Sequence, residues 1–592
     1  MRASVLSILA CVALAASACG PSGQAPGGGA APGNVTVATP PPAAAATPAG
    51  AATPATGATT KPAATAAAKP TTQPAAQPSG PQEISVNALQ GEPDNLDPNR
   101  SSFSTEGAVI RQVFEPLLTF DKDLKPVPAA ASGYDVSQDG NTYTFHLKQG
   151  AKWSDGQPVT AKDFVYSYKR ILDPNIAAEY ASFFADAGIV GAADYNGGKG
   201  SADNVGIKAV DDNTLEIQVE SPVGYFPNLV ALWVVPPLRE DIIQKAGDAW
   251  AQDPSTYIGN GPFKMSEWVH QDHITLVPNP NYGGTAPKLQ KVTFLMVTNG
   301  EADYAAYRNN ERDWTLVPDA DVQAVRGDSE LSKQSVEYTE LTTFWLQLNT
   351  ARPPLDNVLV RRALAKGIDR AAMVRDLATG VSRPTTSIIP PGMPGFQEGL
   401  GHELGFDPQG GRALLAQAGF GSVPPKLTFS FAIGGNNLRR AEYLRAQWGD
   451  HLGLDVQLSA MDMAGYQQAI ATRSYDLALG GWAADYPDPQ DWFGMLFGCQ
   501  GAYNQSAYCN PSFDQLVARA DTAIALGDRL PLYNQAQTLL TQDAPVLPLF
   551  VRGRLVLVKP WIQSVDGGPL QITAADDYPG SFMLDRAQIL PR

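Results

Sequence analysis

The sequence holds few of the side chains that do covalent or metal chemistry. Its 592 residues include five histidines and four cysteines. No H-E-x-x-H, G-x-S-x-G, Walker loop or dinucleotide glycine fingerprint is present. Of the histidines, His146, His270, His273, His402 and His451, only His270 and His273 stand close together, in "WVHQDHITLV". A strand puts residues three apart on opposite faces, so an exposed strand edge or turn fits this pair better than a zinc site. "GGTAPKL" and "GNGPFK" are glycine-bearing turns without the strand and helix around them that a phosphate loop needs. Basic residues are also scarce: 43 Lys and Arg stand against 59 Asp and Glu, for a net charge of -16. That balance argues against nucleic acid as a partner and against electrostatic docking on anionic lipid. Beyond the first twenty residues no run of 18 apolar residues occurs, so no spanning helix is expected in the body. We expect no catalytic residue, no metal and no cofactor. An exported hydrolase remains a rival, because Asp485 and Asp488 could stand the roughly 5 to 10 Å apart that glycosidase carboxylates need; so could many other acidic pairs.

The chain opens on "MRASVLSILACVALAASACG", with one basic residue, Arg2, an apolar run from Val5 to about Ala16, and small residues before Cys19. This is the pattern of a secretory signal over residues 1–18, too short for a spanning helix. "AASAC" resembles a lipobox, with Ala16 where most have Leu, which would make Cys19 the lipidated residue and the membrane anchor; simple secretion is the alternative. Residues 19–82 are rich in Ala, Pro, Thr, Gly and Gln, with almost no large apolar side chain. Such a segment cannot bury enough surface to offset its ordering entropy and is expected to be a disordered tether. A flexible chain of that length spans roughly 40 to 45 Å. The two remaining cysteines, Cys499 and Cys509, lie ten positions apart in "FGCQGAYNQSAYCN". In an exported chain they most simply form one local disulfide.

Residues 83–592 are too many for one ordinary domain. "YTFHLKQG" and "TLEIQVE" alternate as half-buried strands do. "TAKDFVYSYKRIL" places Phe164, Val165, Tyr168 and Ile171 at helical spacing, with Thr160 as N-cap and Asp163 in the capping-box position. "NVLVRRALAKGIDRAAMVRDL" and "GGRALLAQAGF" read as amphipathic helices, the second closed by Gly419. "LDVQLSAMD" and "YDLALGGW" read as strands separated by the helical "YQQAIATR". The class is mixed α/β. In "GGWAADYPDPQDWFG", residues 480–494, three aspartates sit among four aromatics and two prolines. Spacing alone leaves a catalytic pair, a metal loop, a ligand platform and a polar turn all open.

"AKWSDGQPVTAKDFVYSYKRILDP", residues 151–174, closely resembles the signature of the extracellular solute-binding proteins of family 5, the peptide receptors of ABC importers. The likeness continues in order through "IGNGPFKMSEWV", "LVPNPNYGG", "LNTARPPLDNVLVRRALAKGIDR", "ALLAQAGF", "YDLALGGWAADYPDP" and "CNPSFDQLVARA". "KAVDDNT" and "LVKPWI" are most similar to the oligopeptide-binding branch, whereas the cysteine pair before "NPSFDQL" resembles the dipeptide-binding branch. The resemblance implies a two-lobed, Venus-flytrap (class II periplasmic-binding-protein) fold with an extra domain inserted in the first lobe. Lobe one would comprise 83–118, 236–340 and 553–592, the inserted domain 119–235, and lobe two 341–552. The hinge would lie at the chain crossings near 340 and 552.

By position, the resemblance implies that Asp485 pairs with the α-ammonium of a bound peptide and that Trp482 lines the pocket beside it. Glu106, Tyr180 and Asn260 match further cleft positions, though helix-cap, packing and turn roles would explain each of them equally. Asp488 and Asp491 are expected as turn and cap residues around Pro487 and Pro489. There are two departures from the family pattern. Leu479 stands where the oligopeptide branch has a carboxylate-binding Arg. The segment "AIGGNNLRRAEYL" lacks the Arg of the dipeptide branch, Arg439 and Arg440 being expected on the following helix. The implied protein is a lipid-anchored, extracytoplasmic monomer that binds peptides and hands them to ABC permease subunits. Some members bind oligosaccharides or nickel chelates instead, and a purely sensory or adhesive role is a further alternative.

Overall fold

The computed structural model describes residues 81–378, 380–568, 570 and 584–591. The expected signal peptide, Cys19 and nearly all of the tether lie outside them. Among the described residues, three β-sheets of four or more strands organise the fold, each drawing on a different part of the chain, beside two small two-stranded sheets.

A four-stranded sheet joins Glu83–Val86, Lys291–Leu295, His273–Pro278 and Phe263–Val269 in that spatial order. A second four-stranded sheet orders Ala131–Val136, Thr142–Leu147, Thr214–Gln218 and Ile207–Asp211, wholly antiparallel. Its two middle strands were readable from alternation: Tyr143, Phe145 and Leu147 are buried, as are Leu215 and Ile217. The helix Ala161–Ile171 buries Phe164, Tyr168 and Ile171, while Val165 is half-buried on the flank. Its start is held as expected, the Asp163 carboxylate accepting from Thr160 N at 2.7 Å.

The third sheet has seven strands and carries the site. Its path runs Trp314–Leu316, Val546–Val558, Ser335–Leu348, Leu477–Ala483, Leu427–Ala432 and Val456–Met461, with Arg383–Pro384 against the second of these. "LDVQLSAMD", "YQQAIATR" and "YDLALGGW" form the expected strand, helix (Met463–Ala471) and strand. "NVLVRRALAKGIDRAAMVRDL" is divided into Val358–Lys366 and Arg370–Leu377, because the Asp369 side chain accepts from Ala372 N and starts a new helix. Gly419 takes φ 93° at the end of "GGRALLAQAGF", the left-handed conformation of a helix stop. Cys499 and Cys509 are bonded.

The long antiparallel strands Ser335–Leu348 and Val546–Val558 pass through two cores. At one end Leu555 and Leu557 pack with Tyr304, Tyr307 and Val325. At the other, Leu346, Leu348, Leu547 and Leu549 pack with Leu364, Phe429 and Trp448. Between the two ends the register shifts, with a bulge between Thr339 and Thr343. Glu340 sits in that bulge and pairs with Arg552 at 3.4 Å and with Arg554. Burial opposes its charge, but Arg554 and Arg552 outweigh burial and hold the carboxyl below its ordinary range.

Candidate ligand-binding site

The strands Leu427–Ala432 and Leu477–Ala483 run parallel but pair only at Phe429 with Leu477 and Ser430 with Ala478. Beyond Ala478 they separate, and the second strand keeps a strand partner on one side only, Thr342–Leu348. The gap leaves a cavity, open at its mouth to solvent, at the carboxyl ends of parallel strands where α/β sheets commonly take ligands. Phe344, Trp345, Trp482 and Phe497 are among its walls. Two rings lie directly on the strand because Gly480 and Gly481 have no side chain: a Cβ would come within 2.6 Å of Trp345 Nε1 at Gly480 and 3.0 Å of the Phe344 ring at Gly481. Leu479, the departure noted in the sequence, also lines the cavity and presents a hydrocarbon there.

Just past the strand, the turn 484–489 and the first turn of the helix Gln490–Phe497 bring three aspartates together. Trp482 Nε1 and Asp485 N both donate to Asp491 Oδ2, each at 3.0 Å. Tyr180 Oη, from far along the chain, donates to Asp485 Oδ1 at 2.6 Å. Burial pushes the Asp485 carboxyl up to about 7, with the Tyr180 hydrogen bond pulling the other way. Asp491 is also raised well above its ordinary value, by burial and then by the Asp485 charge, and its Oδ1 has no hydrogen-bond partner among the described residues. Among the described residues, no Lys, Arg or His forms an ion pair with either. Asp488 differs: it forms an ion pair with Arg529, both side chains being 2 % exposed, and accepts from Asn228 Nδ2 at 3.2 Å. Burial still favours its neutral form, and Arg529 opposes this.

The expectation that Asp488 and Asp491 are turn and cap residues is therefore incomplete. Asp488 does accept from Gln490 N at 3.0 Å, as a turn residue would, and Asp491 lies in the first turn of the helix Gln490–Phe497. Both are buried, however, and each bridges partners that spacing could not reveal. Asp485, Trp482 and Tyr180 come together. Glu106 does not join them directly: its carboxylate accepts from Asn95 N, Ser101 Oγ, Ser102 N and Phe103 N, closing the entry to the helix Ser104–Val113. One chain of contacts links it to Tyr180, through Ser101 and Trp233, whose indole donates to Ser101 Oγ and meets the Tyr180 ring edge-on. Asn260 exchanges hydrogen bonds with the Glu115 main chain, Oδ1 accepting at 2.9 Å and Nδ2 donating at 3.0 Å, and fastens two loops. His270 is hydrogen-bonded to Glu92, and His273 to Asp272 and Glu267.

Residues 125–504 match the bacterial extracellular solute-binding proteins, family 5 Middle. The chain belongs to family 5 of the bacterial extracellular solute-binding proteins. This solute-binding protein is 31% identical over 484 residues to the oligopeptide-binding protein OppA of Bacillus subtilis (strain 168), covering 80% of the present chain and 88% of that relative. It is 32% identical over 497 residues to the probable deoxycholate-binding periplasmic protein YgiS of Escherichia coli (strain K12), covering 83% and 92% of the two chains. Among solved structures, the unliganded open form of the periplasmic murein tripeptide-binding protein MppA superimposes with a TM-score of 0.75 at 30% identity, covering 88% of this chain and 99% of that one. The fold is accordingly the two-lobed one of the family, and the ribbon 335–348 with 546–558 carries the chain between the two cores described above.

Proposed function

We propose that this protein is the extracytoplasmic receptor of an ABC importer, that it binds short peptides between its lobes, and that it passes them to the permease. The observation that carries the reading is the Asp485–Asp491 carboxyl pair, in which Asp491 is buried and Asp485 half-buried, which lacks a cation among the described residues, and which stands past the end of a strand whose free edge borders a cavity. An α-amino group has an ordinary pKa of about 8 and is cationic at neutral pH, so a peptide amino terminus supplies the missing charge. The free edge beyond Ala478 can take the peptide main chain as an added strand, with hydrogen bonds indifferent to its sequence. The relative named for oligopeptide binding and the structure named for murein tripeptide binding agree with this class of ligand. Lobe one is proposed as 83–118, 236–340 and 553–592, the inserted domain as 119–235 and lobe two as 341–552. Cys19 is proposed as the lipidated anchor, and the protein is read as performing no covalent chemistry. Ligand stabilises the closed form only by binding it more tightly than the open form.

Replacing Asp485 by Ala tests the reading. Removing one partner of a buried charge pair costs about 3 to 5 kcal/mol, or about two to three and a half decades in affinity. That loss is expected for a free-amine peptide and not for its N-acetylated form, by calorimetric titration; equal losses would refute the ammonium role. A second reading rests on Leu479 and the aromatic cavity walls: an amphipathic carboxylate of the deoxycholate kind, as the name of the second relative suggests. Native mass spectrometry of the purified protein with its co-purifying ligand separates the two, since peptides and a single small acid differ in mass pattern.

A further inference from the structure

Asp491 belongs to the site without reaching its surface. Its side chain is 0 % exposed, whereas Asp485 is half-buried and the Trp482 ring forms part of the cavity wall. Its two oxygens are used unequally: Oδ2 accepts from Trp482 Nε1 and from Asp485 N, each at 3.0 Å, while Oδ1 has no partner among the described residues. A neutral carboxyl group has this asymmetry, its carbonyl oxygen accepting while the other oxygen carries the proton. The helix Gln490–Phe497 supplies neither donor, although Asp491 stands in its first turn; one comes from the strand Leu477–Ala483 and the other from the turn after it. Asp485 and Asp488 are the carboxyl groups whose charges reach Asp491, and Tyr486 is its titratable neighbour in the turn. On the two helices packed behind it, Arg529 of Leu526–Asp543 is engaged by Asp488, and Asp521 of Pro511–Thr522 accepts from Tyr533. The two N–H donors favour a charged Asp491, but burial and the Asp485 charge favour the neutral form and prevail.

We propose that Asp491 is a positioning residue that works as an uncharged acid, fixing Asp485 and Trp482 relative to each other from behind the binding surface. The inference rests on the peptide reading, in which Asp485 meets the ammonium. The pair then holds one charge rather than two: Asp485 keeps the negative charge that the amine needs, and Asp491 keeps the proton. Two adjacent carboxylates would each make the other harder to ionise. Tyr180 serves Asp485 from the opposite side, donating to Oδ1 at 2.6 Å, so the side chain and the main chain of Asp485 are held by different neighbours. Through Trp482 the same carboxyl group also fixes part of the aromatic wall. An asparagine can fill this role, because its carbonyl oxygen accepts the same two bonds and its amide nitrogen replaces the protonated oxygen. An alanine leaves both N–H groups without their acceptor, and Asp485 is then free to move away from the amine.

The test uses the mature chain, first unliganded and then with alanine peptides of two to five residues, each as free amine and in N-acetylated form. Infrared difference spectra of the unliganded wild-type protein against Asp491→Asn, at pH 8 where Asp485 is charged, are expected to show the loss of a protonated-carboxyl carbonyl band. Loss of carboxylate bands alone would overturn the uncharged role. Asp491→Asn is expected to keep the free-amine affinity within about threefold, and Asp491→Ala to lose about tenfold or more of it while changing the acetylated form less. A loss in Asp491→Asn as large as in Asp491→Ala would overturn the proposal, and so would full affinity in Asp491→Ala. Should Asp491→Ala not fold, the infrared band and the affinity of Asp491→Asn decide. If the proposal fails while the wild-type protein still prefers a free to an acetylated amine, the peptide reading stands. If no alanine peptide binds the wild-type protein in either form, the peptide reading falls and takes the positioning role with it.

Discussion

Asp485 and Asp488 lie three residues apart in one turn, and the chain treats them in opposite ways. Asp488 has a guanidinium from Arg529, an amide from Asn228 and a main-chain N–H from Gln490. Asp485 has a tyrosine hydroxyl and a second carboxyl group and, among the described residues, no cation. A charge completed within the chain stabilises the fold, whereas a charge left incomplete is available to a ligand.

The largest expected effect breaks the internal pair. Asp488→Ala strands Arg529 in the core and should lower the free energy of unfolding by about 3 to 5 kcal/mol in denaturant titrations. Asp485→Ala should leave the unliganded protein as stable as before or more so, because it removes a desolvated carboxyl; equal losses in the two variants would erase the distinction. Next comes the disulfide, which closes the loop that supplies Tyr503 and Gln505 to the cavity wall. The double replacement Cys499→Ser with Cys509→Ser should cost about 2 to 3 kcal/mol by the chain-entropy argument, and should weaken ligand binding as well. Gly480→Ala drives a methyl group into Trp345, and about 1 to 3 kcal/mol of overpacking is expected, together with a smaller cavity.

The smallest effect is on pH dependence. A carboxyl raised from 3.8 to about 7 on folding binds more protons folded than unfolded, so its contribution to stability is lost as pH rises through that window. Partial solvent contact makes the slope shallow. Asp521, also pushed up to about 7 by burial, acts in the same direction. Asp485→Asn should therefore remove part of the decline in unliganded stability between pH 4 and 7, as read from thermal melts. In the wild-type protein, affinity for free-amine peptides should fall as pH drops below about 7, because the proton competes with the ammonium; a flat profile would indicate that Asp485 does not meet the amine.

Much of the fold could be read in the sequence, because alternating and helical patterns reflect which face of a local element is buried. Tyr143 and Phe145, or Phe164 and Tyr168, reveal their faces within a few residues. The helix expected to carry Arg439 and Arg440, Asn437–Leu452, was legible for the same reason. Asp485 and Trp482 were legible only through their family motif. The rest of the site depends on long-range geometry. Arg529 reaches Asp488 across 41 positions, and Tyr180 reaches Asp485 across 305. The cavity exists because two parallel strands part after two paired positions, which composition does not encode. Glu106 and Asn260 show the converse, since each matches a cleft position but is engaged with the loops around it.

The ribbon of residues 335–348 and 546–558 also bears on how the two cores can move. Its hydrogen bonds continue into both, so the link resists stretching and sliding far more than it resists rotation about its own length. A two-stranded ribbon twists readily, and a bulge concentrates that twist where it lies. With the lobe boundaries proposed above, the ribbon would act as a torsional bearing centred on Glu340 and its two arginines, and opening and closing would amount to a change in the pitch of one β-ribbon rather than the bending of a loose connector.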